Sequence, residues 1–200
     1  MIGMRWFYPA LAAAALAGLA ACGSTSLQFY MLTADSGGAS SESGPALAPG
    51  TVIGLGPIRL PAYLDRPQLV TALSAHQYRL DEHNRWAERL DENIARALTQ
   101  SLAARLGVDQ VVRYPWPVRQ RLDFQLGFDI LELHQTAAGR SVLSAQWQLK
   151  QGERNVVGKR FECSEAAAGG AEVIVAAQSA CLSRFAGELA SAVRTAAAAH

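Results

Sequence analysis

Residues 122–130 alternate without a break. Leu122, Phe124, Leu126, Phe128 and Ile130 stand against Asp123, Gln125, Gly127 and Asp129. Successive side chains of a strand point to opposite faces, so this period of two requires a strand with one face in a core and the other polar. The phase slips at Leu131 and Leu133, which predicts a β-bulge. Leu143, Ala145, Trp147 and Leu149 repeat the alternation, and Gln151-Gly152-Glu153 turn the chain into a further strand ending near Phe161. The three strands form an antiparallel meander with one apolar face that needs a cover.

Two helices supply that cover. Trp86, Leu90, Ile94, Leu98, Leu102 and Leu106 recur every fourth residue and predict a helix over about 85–106, stopped by Gly107. Packing against a sheet explains this stripe more simply than a cofactor groove or a partner helix. A second helix is expected over about 171–195, with Val173, Ala177, Cys181, Phe185, Leu189 and Val193 facing inward. Upstream, 27–32 reads as a short strand, and 51–56 as another that Pro57 and Pro61 end. Gln68–Leu73 and Gln77–Leu80 read as a hairpin around Ser74-Ala75-His76. Strands, helix, strands, helix give an α/β fold: a mixed, largely antiparallel sheet covered by two long helices.

The N-terminus carries a different signal. Arg5 precedes an uncharged, Ala/Leu-rich run from Trp6 to Leu19, too short for a bilayer core, which takes about 20 residues. It has the form of a signal peptide over 1–21. It ends in Leu19-Ala20-Ala21-Cys22, which resembles the lipobox of bacterial lipoproteins and makes Cys22 the expected acylated N-terminus. Gly23 after it, in place of Asp, resembles the sorting pattern of outer-membrane lipoproteins. The mature chain, 22–200, reads as one domain with a flexible Gly/Ser/Pro-rich loop at about 35–50. With Cys22 acylated, Cys163 and Cys181 remain as an even pair in an oxidising compartment, where a disulfide is expected. Two buried free thiols are the alternative.

Lys+Arg 18 against Asp+Glu 17 gives a net charge of +1, with no basic stripe of the kind a nucleic-acid binder shows. The sequence contains no G-x-S-x-G elbow, P-loop, H-E-x-x-H or C-x-x-C. His76, His83 and His134 are scattered and read as surface or hairpin residues, and His200 is terminal. Asp123 and Asp129 fit an exposed or interface role better than paired-carboxylate catalysis. Gly54-Leu55-Gly56 is half of a phosphate loop, with Pro57 where a helix should begin. No His or acidic residue stands at ligand spacing from the cysteines. The expectation is no catalytic residue, no metal and no cofactor.

Pro57 to Val70 brackets Tyr63-Leu64-Asp65-Arg66 with three prolines, presenting aromatic, aliphatic and charged groups on a stiff excursion. Tyr and Arg anchor protein interfaces, but a crossover loop capped locally by Asp65 and Arg66 fits equally.

Phe29-Tyr30-Met31-Leu32 soon after the lipobox, then Leu60 to Val70, then Arg85-Trp86-Ala87-Glu88-Arg89-Leu90, resembles the PqiC-like family, auxiliary lipoproteins of ABC-type lipid transport systems. The resemblance implies an α/β fold like the N-terminal domain of TolB, and an MCE-domain (PqiB-like) periplasmic partner. It further implies a lipid anchor on the periplasmic face of the outer membrane, a homo-oligomeric ring, and a non-enzymatic role in phospholipid traffic. By the same analogy Tyr63, Leu64, Asp65 and Arg66 become candidates for the partner surface. Trp86 is assigned to the core. A structural envelope tether, or a periplasmic ligand-binding protein or hydrolase, are the alternatives.

Overall fold

The computed structural model describes residues 26–33 and 47–199. The signal peptide, Cys22, most of the 35–50 loop and His200 lie outside the described residues. The elements are β1 (Gln28–Tyr30), β2 (Val52–Arg59), β3 (Gln68–Ala72), β4 (Tyr78–Trp86), α1 (Leu90–Leu106), β5 (Gln110–Arg113), β6 (Phe124–Gln135), β7 (Arg140–Gln151), β8 (Arg154–Ala166) and α2 (Ala171–Ala198).

The alternating run becomes β6, and β6 organises the sheet. One edge pairs with β7 along its whole length, and β7 pairs in turn with β8, both antiparallel. The expected bulge falls between Ile130 and Glu132. The other edge of β6 is shared: β2 runs parallel to it from Ile53↔Phe124 to Arg59↔Asp129, and β3 takes over at Thr71↔Gln135. β5 extends the sheet beyond β2, while β4 and then β1 extend it beyond β3. The result is a mixed sheet. Its long ladders are antiparallel, but the pairings β1–β4, β2–β5, β2–β6 and β3–β6 are parallel.

Both helices lie on one side. Phe128, Phe161 and Phe185 meet there, with ring centroids 5.4 Å (Phe128–Phe185) and 4.9 Å (Phe161–Phe185) apart. Ile53, Leu55, Leu126, Leu98 and Leu102 fill the other half of the core. Cys163 on β8 and Cys181 on α2 are bonded, with Cα atoms 5.6 Å apart. Glu165 lies beside this pair, contrary to the expectation that no acidic residue clusters with it. Its carboxylate is engaged by Arg184, and both sulfurs are spent in the bond.

Several boundaries differ from the sequence reading, each for a physical reason. The helix begins at Leu90 rather than Arg85, because the sheet claims the backbone before it. Trp86 N–H donates to Pro67 O (2.7 Å) and Ala87 N–H to Tyr30 O (2.9 Å). Trp86 is still core, 5 % exposed, but from a strand. β2 is not ended by Pro57. It continues to Arg59 through a register shift between Leu55 and Ile58, where a residue without N–H costs no ladder bond. β8 runs beyond Phe161 to Ala166, because Arg140 of β7 pairs with Ala166. Val173 faces outward at 45 % exposure, lying over Gly169, and Ile174 turns inward instead.

The two glycines of the half phosphate loop have a packing role. A Cβ on Gly54 would lie 2.6 Å from Leu122 Cδ1, and one on Gly56 2.6 Å from Tyr114 Cβ. Gly56 also holds φ at +124°, which L side chains rarely adopt. The absent side chains let the segment after β5 lie on the outer face of β2.

Phe185→Ala is expected to cost ~3–5 kcal/mol in urea unfolding, the usual range for emptying a buried aromatic site. Val173→Ala should stay within ~0.5 kcal/mol. Equal losses would mean that α2 is rotated from the described register.

Candidate interaction surface

The Pro-bracketed segment is the bridge by which two strands share one edge of β6. Between Arg59 and Gln68 the chain folds into turns closed by Leu64 N–H to Pro61 O (2.9 Å) and Arg66 N–H to Leu64 O (2.8 Å). The bridge leaves part of the β6 edge without a strand. Tyr63 reaches into that gap, and its hydroxyl donates to the Leu131 carbonyl at 3.2 Å. Leu64 points into the core at 2 % exposure, so it has no face to offer a partner. Asp65 is exposed, 3.8 Å from Arg89 Nη2 just before α1. Arg66 Nη2 donates to Ala62 O at 3.2 Å, while its buried Nε has no hydrogen-bond partner among the described residues. Of the four candidates, Asp65 and the outer parts of Tyr63 and Arg66 are presented to solvent.

Tyr63 also joins an aromatic cluster. Its ring centroid lies 5.1 Å from that of Tyr78, and the Tyr78 and His134 rings meet edge-on at 5.3 Å. His134 is therefore not a surface residue as expected; it is 4 % exposed on β6, because the bridge and β4 cover it. The Tyr63 hydroxyl lies 3.4 Å from His134 Nδ1. Burial, with Tyr78 and Glu132 nearby, holds the phenol well above its ordinary range, and burial holds the imidazole below its own. A tyrosine nucleophile or acid needs the opposite shift. The arrangement stabilises neutral partners and acts as a structural clasp.

The other polar residues singled out from sequence have local duties. Asp123 accepts the Val52 N–H at 2.8 Å and Asp129 binds Arg59 at 3.2 Å, so each fastens β2 to β6. A groove of about 390 Å³ between β8 and α2 has Trp147 in its lining, whose indole N–H donates to Glu188 at 2.9 Å. His76 and His83 are exposed on and beside the β3–β4 hairpin.

One set of residues escaped the sequence reading. Fully buried Asn93 accepts the Leu32 N–H on Oδ1 at 3.0 Å, Arg96 Nη2 donates to Leu32 O at 3.1 Å, and Thr33 N–H donates to Ser179 Oγ at 3.2 Å. Both helices thus hold the segment that follows β1. The available signal was a polar residue beside Ile94 on a largely apolar helix face.

The family model for the ABC-type transport auxiliary lipoprotein component matches residues 30–190. No curated protein matches the sequence significantly. Among solved structures, a crystal structure of an uncharacterized protein matches with a TM-score of 0.68 at 18% identity, over 84% of this chain and 99% of that one. A DUF330-family protein from Xanthomonas campestris matches with a TM-score of 0.64 at 13% identity, over 83% and 91%. At these identities the likeness is one of fold.

Tyr63→Phe removes only the hydroxyl that caps Leu131. It is expected to lower unfolding free energy by ~0.5–1.5 kcal/mol, the net worth of one hydrogen bond. An unchanged denaturation midpoint would show that water serves the carbonyl equally well.

Proposed function

The chain belongs to the ABC-type transport auxiliary lipoprotein components, the PqiC-like family its motifs resemble, and from that membership we propose that it works without catalysis, as the lipid-anchored docking subunit of a phospholipid transport system. Membership makes it an envelope lipoprotein and one part of a larger transport assembly. No helix among the described residues is long and apolar enough to cross a membrane. The proposal adds the finer assignments. Acylated Cys22 anchors the protein at the periplasmic face of the outer membrane, and an MCE-domain protein is the partner. Copies of the chain assemble as a ring around the conduit.

The observation that carries this reading is a family match spanning nearly all of the folded body. Asp65 and Arg66, at the apex of the bridge, offer opposite charges to a partner beside the ring of Tyr63.

A crosslinking pull-down from membranes tests it, comparing wild type with Cys22→Ala and with Asp65→Ala/Arg66→Ala. The wild type is expected to recover an MCE-domain protein, and the double variant to recover less of it at unchanged abundance. Loss in Cys22→Ala alone would assign the encounter to anchoring rather than to the bridge. A wild type that recovers no such protein removes the transport reading and leaves a structural envelope tether.

A further inference from the structure

β1 has two unlike faces. Leu32, just after the strand, is buried and Tyr30 is partly buried against the core, whereas Leu27, Phe29 and Met31 are 48 %, 62 % and 41 % exposed. Three large apolar side chains on the open face of a strand at the sheet's margin form a patch that marks an interaction surface. Where that surface lies is fixed by the chain itself. Leu27 is five residues from Cys22, so even a fully extended tether spans at most ~18 Å. The row from Leu27 to Met31 is itself ~13 Å long at strand rise.

The direction is set as well. β1 runs parallel to β4, with Gln28 opposite Asn84 and Tyr30 opposite Trp86. The N-terminal end of β1 therefore points toward the side where β4 begins, at the β3–β4 hairpin. Leu73 and Tyr78 flank that hairpin, each 43 % exposed. The hydrogen bonds that Leu32 and Thr33 share with Asn93, Arg96 and Ser179 prevent β1 from swinging away from the body. Acylation at Cys22 would bring this apolar, firmly mounted surface within reach of the bilayer.

We propose that Leu27, Phe29 and Met31 rest in the interfacial zone of the anchoring bilayer, as a second contact that sets the orientation of the domain on its lipid. The inference builds on the reading that Cys22 is acylated. The acyl chains hold the protein to the membrane, and the row decides which side of it faces the membrane. Interfacial burial of an apolar face a few ångströms deep is how surface-lying segments bind.

The test places the photoreactive residue p-benzoylphenylalanine at position 29 in the full-length, acylated protein in cells. A second protein carries it at Glu153, in the β7–β8 turn at the opposite end of β6 from the β3 pairing. Irradiation is followed by mass spectrometry of the labelled peptides and of the N-terminal peptide. Phospholipid adducts at 29 and none at 153 are expected. Protein adducts alone at 29 would overturn the proposal in favour of a partner interface. Lipid adducts at both positions, or at neither with the Cys22 peptide acylated, would overturn it too. An N-terminal peptide without lipid would instead break the anchor reading, and the proposal with it.

Discussion

The fold depends on how one strand is served. β6 is long enough to need more than one partner on the edge away from β7, and the chain meets that need with two parallel strands in succession. Passing from the first to the second takes the backbone out of the ladder, and Tyr63 fills the opening with a side-chain donor to Leu131. The bond gives a strand-edge carbonyl in the gap a protein partner in place of a backbone N–H, and it needs the bridge to hold its tyrosine in place. Pro61, Pro67 and the buried Leu64 supply the stiffness. The same geometry buries His134 and brings Tyr78 against it.

That requirement explains why the segment can look like a binding motif and be largely structural. Of its central residues, Leu64 faces the core and Tyr63 is committed to β6, while Asp65 remains in solvent beside Arg89. A partner that reads this region reads the outside of a structural clasp. The N-terminal strand is mounted as firmly. Buried Asn93 and Arg96 on α1 and Ser179 on α2 take hold of the chain within two or three residues of β1. The proposed anchor at Cys22 stands only five residues in sequence before Leu27.

Much of this was legible in the sequence wherever one physical rule acted alone. The alternation of β6 and β7, the slip at the bulge and the stripe on α1 depend only on which face meets the core, and they carried through to the structure. Misreadings cluster where a second, long-range demand competes with the local pattern. Trp86 fits the helix stripe, yet pairing with Tyr30 and Pro67 keeps its backbone in a sheet. Pro57 reads as a stop, yet a register shift admits it. His134 has no neighbour in sequence to mark it as buried, since its cover comes from Tyr63 and Tyr78. Asn93 was passed over because its partner, the amide of Leu32, lies 61 residues away.

The central claim is that β1 is an integral part of the folded body, so that the proposed anchor at Cys22 is attached within a few residues of a fixed strand. Native-state hydrogen exchange at the Leu32 amide, read residue by residue in the mature protein, tests this most directly. The account predicts that this amide exchanges only through global unfolding, alongside the amides of β6. Exchange at the rate of a solvent-exposed loop would contradict it: β1 would then be a loose leader, and the domain would be free to tumble on its anchor.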